Sequence, residues 1–243
     1  MRLILIPFYI IYIGITEISA LLVASATYFM DLTKYNPKTK PTSRHAPILL
    51  IHGYLHGSSG WLYHRHRFKK EGFDSVFTIN LGSPLATIEQ HAETVQKMAE
   101  EIAHITGQRE IILIGHSMGG LVASYYASEM ARSVTHVITL GSPLEGSFTG
   151  YLNLGKDALE MRYRSPFIMR FREGLKKINH VKFLHIGSYF DEFVIPSSSA
   201  IITDPPHHEN IQFHSGHVAF LYSPHTFKLM LDHLKDPTFS RRS

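Results

Sequence analysis

Glu110-Ile111-Ile112-Leu113-Ile114-Gly115-His116-Ser117-Met118-Gly119-Gly120 decides how this chain is read. Its first five residues, Glu110–Ile114, are a short run apolar after the glutamate, and the helix-forming run Leu121–Met130 follows its last. A brief apolar run closed by glycine reads as a buried parallel strand. A serine flanked by glycines where such a strand meets a helix reads as a nucleophile elbow. The physics is steric: the glycines let neighbouring backbone come close, and the tight turn holds Ser117 in a strained position. The alternative for Ser117 is an ordinary helix N-cap.

Working outward, the same rhythm repeats. Pro47-Ile48-Leu49-Leu50-Ile51 ends in His52-Gly53, and Ser75–Asn80 follows Gly72. Val134–Leu140 runs into Gly141-Ser142-Pro143, and Val181–Ile186 into Gly187. Each reads as a strand. Between Thr87 and Thr106 the residues Ile88, Ala92, Val95, Ala99, Ile102 and Ile105 recur at steps of three and four. That spacing predicts an amphipathic helix closed by Gly107, and Pro224–Leu234 reads as a final helix. Short apolar strands alternating with helices predict an α/β fold with a mostly parallel sheet covered on both faces.

Residues 144–180 break the rhythm and read as an insertion. Across 148–178 there are seven Lys/Arg against three Asp/Glu, an excess equal to the +4 of the whole chain. Phe167, Ile168, Phe171, Leu175 and Ile178 share one helical face, so the stretch is basic and amphipathic.

A nucleophilic serine needs a base, and the base needs an orienter. Taken in the order serine, acid, histidine, these are Asp191, four residues past the strand ending at Gly187, and His217, ahead of the last helix. Both fall on loops at the carboxyl ends of strands, where such sheets gather their sites. Glu192 is the rival for the acid. The developing oxyanion needs backbone donors. Met118, just after the serine, offers one amide, and Tyr54 in His52-Gly53-Tyr54 offers the other.

With 17 histidines in the chain, position has to decide among them. His207, His208 and His214 fit no zinc spacing and read as a surface loop. His225 and His233 read as exposed positions of the last helix, and His64-Arg65-His66-Arg67 as a solvated basic face.

The N-terminus follows a different pattern. From Leu3 to Met30 there are 28 residues with a single charge, Glu17. As a helix the run would span about 42 Å, against a hydrocarbon core of about 30 Å. Residues 1–30 therefore read as a membrane anchor. The alternative is a signal peptide cleaved after Ala24-Ser25-Ala26 and an exported enzyme. Glu17 is costly at mid-bilayer and must be protonated, snorkelling or paired. Residues 31–46, with Pro37, Pro41 and four basic residues, read as a tether to a domain over 47–243. Lys34, Lys38, Lys40 and Arg44 outnumber the basic residues upstream, which favours a cytosolic domain. A chain starting near Asp31 is expected to be soluble and active on short esters.

Composition narrows the classes. The chain has 243 residues, 44% hydrophobic and 18% charged, suited to one catalytic-sized domain. It contains no cysteine, which excludes a disulfide scaffold, a thiolate nucleophile and Cys-ligated metal sites. Its basic residues lie among apolar ones in the insertion, unlike a nucleic-acid patch.

These residues together resemble a family. Ile48–Tyr54 with Trp61, then Gly115-His116-Ser117-Met118-Gly119-Gly120, Leu140-Gly141-Ser142-Pro143 leading to Gly146-Ser147, Asp191 with Val194-Ile195-Pro196, and Gly216-His217 with Ser223-Pro224 look like the α/β-hydrolase superfamily. Within it the likeness is to bacterial triacylglycerol-lipase-type and inositol-deacylase-like serine hydrolases, over roughly residues 46–235. The resemblance implies Ser117 as nucleophile, His217 as base and then acid, Asp191 as orienter, and the Tyr54 and Met118 amides as oxyanion donors. It also implies that 144–180 caps the acyl pocket. The expected activity is a membrane-tethered hydrolysis of a carboxylic ester, with an acyl lipid as substrate and no cofactor or metal. Acyl transfer by the same triad and a non-catalytic binding scaffold are the other readings.

Overall fold

A computed structural model describes residues 6–28, 45–54, 56–83, 85–152 and 155–236. Among them six strands form one parallel sheet: β1 (Ile48–Ile51), β2 (Val76–Ile79), β3 (Ile111–His116), β4 (Val134–Leu140), β5 (Lys182–Ser188) and β6 (Glu209–Phe213), in the order β2-β1-β3-β4-β5-β6. The sheet starts one strand in from an edge with β1, fills that edge with β2, and then crosses back past β1 to build the rest. The register pairs Ile51 with Gly115 and His116 with Leu140, so the carboxyl ends of β1, β3 and β4 finish together.

Alternation along the strands separates two cores. Leu49, Ile51, Leu113, Val137 and Phe183 pack on one face against α3 (Ile88–Thr106) and α4 (Met118–Glu129). Ile48, Leu50, Ile112, Ile114, Ile138 and Leu184 pack on the other with α2 (Leu62–Lys70) and α7 (Pro224–Lys235). Fully burying each such side chain contributes about 1.5–3 kcal/mol. Residues at Ile88, Ala92, Val95 and Ile102 are the buried stripe of α3. Thr87 and Gln90 form a capping box at its start, and Gly107, at φ 72°, closes it in the left-handed region.

The stretch 144–180 contains α5 (Lys156–Glu160) and α6 (Pro166–Leu175). Phe167, Ile168, Phe171 and Leu175 are buried in the same core as α4, so the apolar face of α6 is used up by the domain itself. The part nearer the site is residues 147–161. It is stitched to α3: Glu160 Oε2 accepts the Ile88 N–H at 2.7 Å, and Asp157 faces His91 at 3.5 Å.

The N-terminal run forms α1 (Ile6–Thr27), long and apolar enough to cross a membrane and compatible with an anchor or a signal sequence alike. The expected tether over 31–46 lies outside the described residues except for its last two positions. One narrow stripe of α1, Ile13, Glu17, Ala20 and Ala24, is buried against the α/β domain. The small alanines let the helix come close enough to join the core around Trp61 and Phe220. The opposite stripe, Ile11, Ile15, Ile18 and Leu22, is exposed.

Three histidine readings change. His64 is fully buried inside α2, with its Nε2 at 2.9 Å from the carbonyl of Phe220, and so is not part of a solvated face. His208 is buried and bonds His185 at 2.9 Å, and His233 is buried and bonds Glu209 at 2.8 Å. In each case a buried position of the element takes a histidine that finds a tertiary partner. Among the described residues no cluster suited to a metal ion occurs.

Candidate active site

Ser117 sits between β3 and α4 with φ 55° and ψ −125°, a strained backbone for a residue other than glycine. Its N–H donates to the Leu140 carbonyl at 2.8 Å, tying the turn to β4. A Cβ at Gly119 would lie 2.4 Å from the Ile51 carbonyl, and one at Gly115 would lie 2.3 Å from the backbone of Gly119 and Gly120. The glycines of the pentapeptide therefore permit a turn too tight for any other residue.

Asp191 follows β5 and His217 follows β6, and the fold brings them into contact. His217 Nδ1–H donates to Asp191 Oδ2 at 2.9 Å. The other oxygen, Oδ1, accepts from the N–H groups of Phe193 and Val194 at 2.9 and 2.8 Å. With both oxygens occupied, the carboxylate is locked in place. Burial opposes charge on His217, but Asp191 first, then Glu192 and Glu17, outweigh it and hold its pKa above the ordinary value. Glu192 does not reach the ring; its carboxyl accepts the His217 backbone N–H at 3.3 and 3.4 Å.

Ser117 and His217 line one cavity of about 270 Å³, with Tyr54, Met161, Phe193 and Leu21 of α1 among its walls. Ser117 is partly exposed there, whereas His217 is buried. No hydrogen bond joins the two among the described residues; Asp191 and His217 are the bonded pair.

Of the two candidate oxyanion donors, Tyr54 lines the same cavity, and Met118 follows the cavity-lining Ser117 directly. Met118 opens α4, so its amide is among the first-turn N–H groups that no carbonyl of the helix can reach, at the positive end of the helix dipole. The Tyr54 amide belongs to the peptide whose carbonyl is that of Gly53. His52 fixes this peptide: its Nδ1–H donates to the Gly53 carbonyl at 2.8 Å while its Nε2 accepts the Leu81 N–H at 3.0 Å. Burial lowers the pKa of His52 to about 4, so the ring is neutral and this tautomer is the one both contacts require. Because a trans peptide points its N–H opposite its C=O, holding the Gly53 carbonyl aims the Tyr54 amide.

Two contributors escaped the sequence reading. His52 reads in sequence as part of the loop that offers the Tyr54 amide, and nothing local marks what its own side chain does. His116 sends Nε2–H to the carbonyl of His217 at 3.0 Å, bracing the backbone of the candidate base from the elbow itself. Burial first, then His217 and His56, push its pKa well down, so it acts as a neutral donor.

The comparisons agree with this architecture. A family model described as the alpha/beta hydrolase fold matches residues 46–159. Epoxide hydrolase 3 of Xenopus tropicalis is 24% identical over 149 residues, covering 57% of this chain and 40% of that protein. The match thus spans about two fifths of the curated relative's length. Among solved structures, lipase B of Aspergillus fumigatus superposes with a TM-score of 0.71 at 19% identity, over 83% of this chain and 56% of the other. The mature lipase BlEst2 of Bacillus licheniformis gives 0.66 at 18%, over 84% and 96%. The chain has the alpha/beta hydrolase fold. The two lipases share that fold with it.

Proposed function

We propose that this chain is a membrane-tethered serine hydrolase that cleaves a carboxylic ester of an acyl lipid. The observation that carries the reading is the 2.9 Å contact between Asp191 and His217 at the wall of the cavity that Ser117 shares. With Nδ1–H committed to Asp191, Nε2 of His217 is left to take the proton of Ser117 as its oxygen attacks the ester carbonyl. The negative charge on the carbonyl oxygen is met by the amides of Tyr54 and Met118. His217 returns the proton to the leaving alcohol, leaving an acyl-enzyme on Ser117. Water then attacks it with His217 again as base, and the imidazolium returns that proton to the Ser117 oxygen as the acid leaves. Every proton is relayed through the one imidazole, and no cofactor enters.

The lipid assignment has its own support. Leu21 of α1 is in the cavity wall, while the exposed stripe of that helix is apolar. A bilayer covering that stripe would lie beside the cavity, so an acyl chain could pass from one to the other without crossing water. Exposed Phe148, Tyr151, Leu152 and Phe193 add apolar surface on the loops around the cavity.

The deciding experiment is labelling with a fluorophosphonate, which modifies activated serines. Wild type is expected to be labelled and to hydrolyse p-nitrophenyl esters, and Ser117→Ala to do neither while keeping its fold. Equal labelling of both proteins would end the serine-hydrolase reading.

A further inference from the structure

The single charge of the apolar N-terminal run does not sit in a featureless helix. Glu17 is buried, and its carboxylate lies against the backbone just past the candidate base. Oε1 accepts the Val218 N–H and Oε2 the Ala219 N–H, both at 2.8 Å. A Cβ at Gly216 would fall 2.1 Å from Glu17 Oε2, so the residue before His217 is glycine where the carboxylate has to enter. From the other side Glu192 takes the His217 N–H, and its carboxyl lies near enough to that of Glu17 for Glu17 to help push its pKa up. Three successive backbone N–H groups, of residues 217, 218 and 219, thus end on two carboxyls. His116 holds the carbonyl of His217 between them.

A buried carboxylate on an apolar helix is costly unless its oxygens are satisfied. Here they are satisfied by the segment that carries the imidazole. We propose that Glu17 is a positioning residue for His217, and that α1 is a working part of the active site rather than a detachable leader or anchor. This rests on the serine-hydrolase reading above, since it needs His217 as base. It also reverses the expectation that a chain starting near Asp31 would remain active. Without α1 the Val218 and Ala219 amides lose their acceptor, and the cavity loses the wall that Leu21 provides.

A simple staple would fix α1 to the domain and do no more. A positioning residue also sets the field at the imidazole. The groups facing His217 are Asp191 and Glu192 from the loop after β5, Glu17 from α1, His116 from β3 and His56 from the loop after β1. Of these the three carboxyls favour the imidazolium, against burial and the two histidines. Removing the charge of Glu17 lowers the pKa of His217, so the acid limb of the rate profile moves to lower pH.

The test uses the full chain in detergent micelles with p-nitrophenyl butyrate, comparing wild type, Glu17→Gln and Ser117→Ala. Glu17→Gln is expected to lose at least about tenfold in kcat, because small misplacements of a base are expensive. Its KM should change by less than about twofold, the mark of an interaction made in the transition state. The acid limb should fall by a few tenths of a pH unit, and more clearly in a Glu192→Gln background, where no second carboxyl takes over the charge. Wild-type kcat with an unmoved limb would overturn the proposal. So would a loss of kcat that only tracks loss of folded protein by circular dichroism while the limb stays fixed. If Glu17→Gln does not fold, Gly216→Ala carries the test, since its methyl displaces the carboxylate without removing it. A loss of at least about tenfold in kcat supports the proposal, and wild-type kcat overturns it. Ser117→Ala separates the two ideas. Activity in that variant sinks the serine-hydrolase reading, whereas its inactivity beside an unaffected Glu17→Gln sinks only the role of Glu17.

Discussion

Asp191 Oδ2 lies 2.9 Å from Nδ1 of His217, while the adjacent Glu192 meets only the backbone N–H of the same histidine. One residue of difference along the loop therefore separates ring from main chain. Asp191→Asn is expected to lose several orders of magnitude in kcat, since an amide in place of a triad carboxylate costs about 10⁴ in serine proteases. Glu192→Gln keeps an acceptor for the His217 N–H and should lose less than about tenfold, under about 1.4 kcal/mol of barrier. Steady-state kinetics on a soluble ester checks both; a crippled Glu192→Gln beside a healthy Asp191→Asn would reverse the assignment.

The pH profile follows from the same contacts. In the proposed mechanism His217 must be neutral to take the proton of Ser117, and the neighbouring carboxylates hold its pKa above the ordinary value. Activity should therefore fall on acidification with a midpoint above about 6.5, the value of an unperturbed histidine. A kcat/KM profile flat from neutrality down to pH 5 would contradict this.

Glu192 offers a stability test. Loss of water around its carboxyl, then the hydrogen bond and charge of Glu17, push its pKa up to about 7 from an ordinary 4.5. For an acid whose folded pKa is raised, the unfolded chain releases its proton first. The native state is then penalised progressively as pH rises from about 4.5 to about 7, the penalty staying constant above that. Melting temperature of wild type should therefore decline relative to Glu192→Gln across that window. Parallel curves would show that the carboxyl is not held protonated.

His52 should affect rate more than binding. His52→Ala frees the Gly53 carbonyl and with it the orientation of the Tyr54 amide. Outright loss of an oxyanion donor costs about 10²–10³ in kcat, so a loosened one should cost about tenfold to a hundredfold. KM should be nearly unchanged. A rise in KM at constant kcat would mean that His52 shapes substrate binding instead.

Leu152 is 84% exposed on the loop after β4. If that loop meets the membrane, Leu152→Glu should slow hydrolysis of vesicle phospholipid while leaving p-nitrophenyl butyrate nearly unaffected. Equal losses on the two substrates would make the loop a structural element only.

The sequence by itself determined the parts whose cause is local. The β3 strand, the elbow at Ser117 and the start of α4 follow from apolar runs and glycines within eleven residues, and α3 from its three-and-four spacing and capping box. Chain order then placed Asp191 after the strand that carries it and His217 ahead of the last helix. Edge strand β6 escaped because its sequence, Glu209–Phe213, buries neither face fully and shows only a faint alternation. Helix α2 escaped because its seven residues between Leu62 and Phe68 hold only one buried polar position, His64, amid charge.

Only the tertiary structure decided what Glu17 meets. In sequence it is a lone charge in an apolar run, to be protonated, snorkelled or paired. Its partners, Val218 and Ala219, lie two hundred residues away. No periodicity encodes such a contact. It arises when the alanine stripe of α1 docks beside Trp61 and Phe220 and carries the carboxylate to the one glycine that admits it. Patterns within a segment set its shape, because they act through the backbone's own geometry. Partners across the chain are chosen by packing, where close approach, charge and buried N–H groups have to be satisfied together.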